Sequence, residues 1–336
     1  MLFQLSKISI FSLLVLLFSC FIGLPEAGAQ VVSMRFNDSK SFKIVQFTDI
    51  HWDPKKEAIK DAKETMELVL EQEKPELVVF SGDIIVGAPI SEAMDSVFMI
   101  AERRQIPFAF TFGNHDDEAD MTKKEIYDYL KKFKYNVTTT TGGISGITNY
   151  IIEIKGADGK NNQALIYVLD SHAYSPLKEK GIGGYDWIKF DQVQWYINAS
   201  SAYTKANGGK PLPALAYFHI PIPEYNIAAS YEKSKLIGHR LEKACAPEIN
   251  TGLGAAMLNA GDVMATFVGH DHVNDYIADY YGLKLIYGRC TGGDLCYGDL
   301  PQGARVVELK EGEKSFKTWM VLKDGSSTEA YTFSSK

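Results

Sequence analysis

Cysteine is scarce in this chain: four in 336 residues, with no two in the C-x-x-C spacing of a structural zinc site. A disulfide-stapled mini-scaffold is excluded on length alone, because a chain this long buries a core without staples. Cys20 falls in an N-terminal apolar run, which leaves Cys245, Cys290 and Cys296. These allow one bond, Cys290–Cys296 or Cys245 to either, or ordinary thiols. Positive charge is also in short supply: 35 Lys and Arg face 42 Asp and Glu, for a net charge of −7. A protein that coats nucleic acid carries the opposite balance. There is no basic groove signature and no interleaving of aromatic and basic residues, so no nucleic-acid partner is expected. An anionic small substrate stays open, because a metal ion supplies positive charge locally. Internal repeats, low-complexity segments and linkers are absent, which makes 30–336 one domain.

One long apolar run is present, from Ile8 to about Leu24, and no later stretch is long enough to cross a membrane. Lys7 precedes it and Ala27-Gly28-Ala29 follows, as in a secretory signal peptide (residues 1–29) cut after Ala29. The expectation is an exported product, secreted or periplasmic, with no membrane span after cleavage. Two alternatives are a membrane anchor made by the same run and lipid attachment at Cys20, where Leu17-Phe18-Ser19-Cys20 loosely follows a lipobox. N-x-S/T glycosylation triplets occur at Asn37, Asn136 and Asn198 and have meaning only outside bacteria.

From Phe42 onward strand and helix patterns alternate, which predicts an α/β fold. Phe42–Phe47, Leu77–Phe80, Phe108–Phe112, Leu215–Phe218 and Val263–Val268 are apolar runs of strand length. Helices are predicted over Lys55–Glu73, Ser91–Arg104, Thr122–Phe133 and Asp191–Ala206, with Thr122 and Glu125 spaced as a capping box. Tyr150–Ile154 and Ala164–Leu169 read as strands paired across Asp158-Gly159. The tail from Leu283 to Phe333 reads as antiparallel strands.

Each of the five apolar runs leads straight into a polar block: Asp49-Ile50-His51, Gly82-Asp83, Gly113-Asn114-His115-Asp116, His219, and Gly269-His270-Asp271-His272. Five of the seven histidines lie in these blocks, the others being His172 and His239. In parallel α/β sheets ligands bind beyond the carboxyl ends of the strands. Residues two apart on extended backbone share a side, so Asp49 with His51, and His270 with His272, can aim into one pocket. Imidazole, carboxylate and amide donors suit Fe, Mn, Zn or Co. Asp83 could bridge two cations through its two oxygens. The glycines at 82, 113 and 269 would let the backbone turn sharply before the ligands. Any one block alone is weak; together they predict a metal centre, since so many inward polar groups without a cation would be costly.

This ordered set, D-x-H, G-D, G-N-H, a later His and G-H-x-H, resembles the calcineurin-like metallophosphoesterase superfamily. Gly113–Asp117, His219–Glu224, Gly269–Asp275 and Gly303-Ala304-Arg305 resemble the single-domain branch labelled purple acid phosphatase 28/29-like. The resemblance implies two packed mixed β-sheets flanked by helices and two metal ions. Asp49, His51 and His272 would hold the first ion, Asn114, His219 and His270 the second, and Asp83 would bridge them. It further implies a phosphate-monoester substrate attacked by a hydroxide between the ions, with His115 protonating the leaving oxygen. A phosphodiesterase or nucleotidase with the same site is the near alternative, and a metal-binding protein with little turnover the distant one. Two departures stand out. True purple acid phosphatases carry a metal-binding Tyr at the position of Val86 and lack the histidine that is His51 here, so no iron–tyrosinate colour is expected. Many other members carry at position 86 an Asp that orients the G-N-H histidine; Val86 cannot, so either another acid, with Asp116 and Asp117 as candidates, replaces it or the proton donor is less well held. For the substrate wall the candidates are Asp116, Glu224, Tyr225, Asp271, Tyr287, Arg289 and Tyr297, with Arg289 either touching a phosphate or exposed in a loop.

Overall fold

The computed structural model describes residues 33–56, 59–230, 235–292 and 298–334. The expected signal peptide, Cys20, Cys296 and Tyr297 lie outside them. Val31–Lys336 form one compact unit.

The first half runs β1 (Ser41–Phe47), α1 (Ile59–Glu73), β2 (Leu77–Ser81), α2 (Ile90–Glu102), β3 (Phe108–Thr111) and α3 (Lys123–Leu130). The second runs β4 (Tyr150–Lys155), β5 (Asn162–Val168), α4 (Phe190–Ala206), β6 (Ala214–Tyr217), α5 (Glu224–Ser230), α6 (Leu253–Ala260), β7 (Val263–Val268), β8 (Ile277–Tyr280) and β9 (Leu283–Tyr287). The chain closes with β10 (Gly303–Lys310), β11 (Ser315–Leu322) and β12 (Ser327–Ser334). Two six-stranded mixed sheets result, ordered β12-β11-β10-β1-β2-β3 and β4-β5-β6-β7-β9-β8.

The strands form because both of their faces are buried, and the alternation of side chains sorts them into two cores. On β1, Phe42 and Ile44 pack between the sheets, whereas Val45 and Phe47 face α1 and α2; on β2, Leu77 and Val79 face inward and Val78 and Phe80 outward. The inward set meets Ile166, Leu215, Tyr217, Phe267 and Ile286 of the second sheet, so the sheets are stacked face to face. The second sheet's outer face, with Tyr167, Ala216 and Leu285, is covered by α4, α5 and α6 through Tyr196, Tyr225 and Met257. The layers are therefore helix, sheet, sheet, helix, as expected.

The Thr122–Glu125 capping box is present in both directions, and α3 stops at Leu130, three residues short of the expected end. The short helices α5 and α6 carried no periodic signal long enough to predict. One expectation is corrected: the tail is not wholly antiparallel, because β9 pairs parallel with β7 and antiparallel only with β8. Cys290 is disulfide-bonded and Cys245 is a free thiol, which removes the two pairings through Cys245.

Candidate metal centre

The parallel strands β1, β2 and β3 of one sheet and β6 and β7 of the other end at a common edge, where the loops after them are laced together. Asp49 donates its backbone N–H to Gly82 O at 3.1 Å, and His51 to Asp83 O at 2.9 Å. Within the second sheet, Gly269 N–H donates to His219 O at 3.1 Å, and across the sheets His270 N–H donates to Asp49 Oδ1 at 2.9 Å. Four side chains at this edge sit on left-handed backbone: Asp49 (φ 53°), His51 (φ 50°), Asp83 (φ 51°) and His270 (φ 77°). Non-glycine residues rarely adopt it, at a cost of about 1–3 kcal/mol each, and strain of this kind collects at functional sites. The glycines serve a different end from the expected one. Only Gly82 has positive φ, at 92°. A Cβ on Gly113 would lie 2.2 Å from Asp83 Oδ1, and one on Gly269 1.9 Å from Thr48 Oγ1, so there glycine is demanded by space.

Two groups of donors result. Asp49, His51 and His272 form one, and Asp83, His219 and His270 the other, with the donor atoms of each within 4.8 Å of one another. His51 Nε2 and His272 Nε2 are 3.0 Å apart, and Asp49 Oδ1 is 3.5 Å from His272 Nε2. Asp83 faces both groups: its Oδ2 lies 3.0 Å from His219 Nε2 and 4.0 Å from His51 Nε2, while its Oδ1 accepts the His115 backbone N–H at 2.8 Å. His219 Nδ1 donates to Ser81 O at 2.9 Å, which turns Nε2 toward the carboxylates. Asn114 is buried in the same loop set, and neither of its amide atoms has a hydrogen-bond partner.

Electrostatics poise these groups as ligands. Burial opposes ionisation of Asp49, but His272 and His219 outweigh it and hold the carboxyl at about 2. Asp83 is likewise held far below the ordinary carboxylate range, against burial, by His219 and His51. Burial pushes His51 down to about 4, and burial with the neighbouring His219 pushes His270 down to about 3, so both imidazoles are neutral at pH 7. His219 is raised to about 9 against burial by Asp83, so a cation taken up there displaces its proton.

His115 lies over the first group, its ring centroid 5.6 Å from that of His51. The acid beside it is neither Asp116 nor Asp117 but Glu118, whose Oε2 is 2.6 Å from His115 Nδ1. Sequence reasoning missed Glu118. The available signal was its place three residues after His115, where a turn closed by Glu118 N–H to His115 O (3.2 Å) brings the carboxylate back.

The expected substrate wall is largely corrected. Asp116 is buried and accepts four backbone N–H groups, from Asp83 (3.0 Å), Ile84 (2.8 Å), Ile85 (3.0 Å) and Gly113 (2.7 Å), so it ties the Asp83 loop to the Asn114 loop. Tyr225 is fully buried on the far side of the second sheet, bonded to Thr266 Oγ1 at 2.9 Å. Glu224 is buried against α6 and accepts from Asn250 Nδ2 at 3.1 Å. Arg289 is 2 % exposed and ion-paired with Asp275, so it is not a surface residue. Asp271 turns from its two neighbouring histidines to accept from Tyr287 Oη at 2.6 Å. The wall that is present comes from the loop after β5: Tyr185 packs edge-on against His270 with ring centroids 4.2 Å apart, and Tyr174 stacks on Tyr185 at 6.0 Å.

Two clusters of His and Asp that share one carboxylate at strand ends define a candidate dinuclear centre on an α/β sandwich. The comparisons agree with that class: the calcineurin-like phosphoesterase model matches residues 42–274, and the chain belongs to that family. It is 35% identical to "Probable inactive purple acid phosphatase 29" of Arabidopsis thaliana, across 92% of this chain and 91% of that one. It is 33% identical to "Phosphatase DCR2" of Saccharomyces cerevisiae, across 92% of this chain and 58% of the longer yeast protein. Among solved structures, a dimetal phosphatase from Danio rerio shares the fold at a TM-score of 0.63 and 12% identity, over 88% of this chain and 99% of that one.

Proposed function

We propose that this chain is an exported phosphatase that hydrolyses phosphate monoesters at a dinuclear metal centre. Asp49, His51 and His272 would hold one ion, Asn114, His219 and His270 would hold the other, and Asp83 would be shared between them. The observation that carries the reading is the Asp83 carboxylate, whose Oδ2 faces His219 at 3.0 Å and His51 at 4.0 Å. The donors fit such ions: a cation would complete the unpartnered Asn114 amide and would take the place of the proton between His219 Nε2 and Asp83. The set of nitrogens and oxygens suits Fe, Mn, Zn or Co. Two bound ions would neutralise phosphate oxygens and lower the pKa of a water.

The chain's residues do the rest. Asp116 fixes the loops that carry Asp83 and Asn114. Tyr185 limits the site on the His270 side. In its acid form His115 is protonated on both ring nitrogens; a water that has given one proton to solvent attacks as hydroxide, and as its oxygen bonds to phosphorus and the ester P–O bond breaks, the Nε2 proton passes to the leaving oxygen, giving phosphate, an alcohol and neutral His115 with its proton on Nδ1. Export is supported by the apolar run to about Leu24 with Ala27-Gly28-Ala29 after it and by the disulfide bond at Cys290, which suits an oxidising compartment.

Hydrolysis of p-nitrophenyl phosphate and its bis ester after loading with Mn, Fe, Co or Zn tests the reading, with faster turnover of the monoester expected. The word "inactive" in the plant relative's name favours a second reading, a metal-binding protein with little turnover. Metal uptake with cleavage of neither ester would select it. H115A is expected to keep its metal and lose about 10²- to 10⁴-fold on esters with poor leaving groups.

A further inference from the structure

The imidazole of His115 is held by a chain of side chains that ends outside the metal clusters. Its Nδ1 lies 2.6 Å from Glu118 Oε2, and the other carboxylate oxygen, Oε1, accepts the Tyr174 phenol at 2.8 Å. A carboxylate that receives a phenol proton on one oxygen acts as an acceptor on the other, so the Nδ1 side carries the hydrogen. That fixes the tautomer and turns Nε2 away from Glu118. Tyr174 is itself fixed: a backbone bridge joins it to Tyr185, the two rings stack, and Tyr185 abuts His270. The loop after β5 thereby spans the site, touching His270 at one end and the His115 partner at the other.

We propose that Glu118 is the positioning residue for His115 and that Tyr174 holds Glu118 in place. This rests on the role of His115 in leaving-group protonation given above. Glu118 touches no reacting atom; it sets the direction and tautomer of the group that does. Tyr174 sets how well Glu118 is aligned.

The test uses the full metal-loaded protein and the variants E118A, E118Q, Y174F and H115A. Turnover is measured on p-nitrophenyl phosphate, whose leaving group needs no proton, and on an alkyl phosphate, whose leaving group does. E118A is expected to lose about 10- to 100-fold in kcat on the alkyl ester, a part of what a positioned acid contributes, and less than about 3-fold on the aryl ester. E118Q should recover part of the loss because its amide oxygen still accepts from Nδ1–H. Y174F should fall between E118Q and wild type. The double variant H115A/E118A should be no slower than H115A alone. In the zinc-loaded protein labelled with ¹⁵N-histidine, the neutral form of His115, which remains once its acid proton is gone, should be the Nδ1–H tautomer and should shift toward Nε2–H in E118A. A loss equal on both esters, or none on either while H115A is impaired, overturns the assignment, and so does an unchanged tautomer. Wild type inactive on both esters defeats the phosphatase reading instead, and the tautomer measurement still decides the role of Glu118.

Discussion

Asp116 offers the sharpest check on how the centre is built. Its two oxygens take four buried backbone N–H groups at 2.7–3.0 Å: Oδ1 serves Ile84 and Ile85, and Oδ2 serves Asp83 and Gly113. D116N keeps one acceptor and replaces the other with an NH₂ that faces two donors. Each bond to a charged group is worth about 1.5–3 kcal/mol, so two lost bonds give roughly 3–6 kcal/mol. The carboxylate is not fully comfortable there, since burial and then the charge of Asp83 raise its pKa to about 6. Removing that charge returns part of the loss, and we expect about 2–4 kcal/mol net. Urea unfolding with an unchanged m-value measures it, and metal content should fall with it because the loops bearing Asp83 and Asn114 lose their common anchor. A D116N protein within about 0.5 kcal/mol of wild type, with its metal intact, would refute the argument.

Three further outcomes follow from the geometry. D83N should lower bound metal at both positions, whereas H51A should lower it at one; elemental analysis after gel filtration reads the two stoichiometries, and equal loss in both variants would contradict a bridging Asp83. G113A drives a methyl to within 2.2 Å of Asp83 Oδ1, so metal affinity should fall by about tenfold or more, read by competition with a chelating dye. Glu329 is raised from 4.5 to about 7, by burial first and then by Asp275. A raised carboxyl contributes stability in full below 4.5 that is lost as pH rises through 7, so E329Q should gain on wild type over that window, by about 1–2 kcal/mol after allowing for the nearby arginines. Parallel pH–stability curves for the two proteins would show that Glu329 does not titrate there.

The five apolar runs and the polar blocks behind them were legible because each is a local pattern. A buried parallel strand is a short run of aliphatic and aromatic residues, and the chain that leaves its carboxyl end carries whatever the site needs. The alternation of strand and helix in turn pointed to an α/β fold, and the family resemblance to its two packed sheets. The seven candidate donors could be named without coordinates; the structure gathers six of them into two groups and buries Asn114 in the same loops.

What the sequence left open concerns partners far apart along the chain. Arg289 in a glycine-rich stretch reads as a surface cation, yet it is buried because Asp275 meets it there. Tyr225 follows the His219 loop by a few residues but lies on the opposite face of the sheet, since α5 turns it into the outer core. The orienting acid is Glu118 rather than its neighbours because Asp116 is drawn off by four amides from two loops. Propensity and periodicity register a residue's own neighbours. The satisfaction of a buried charge depends on which groups from other loops packing brings to it, and that is decided only when the tertiary structure forms.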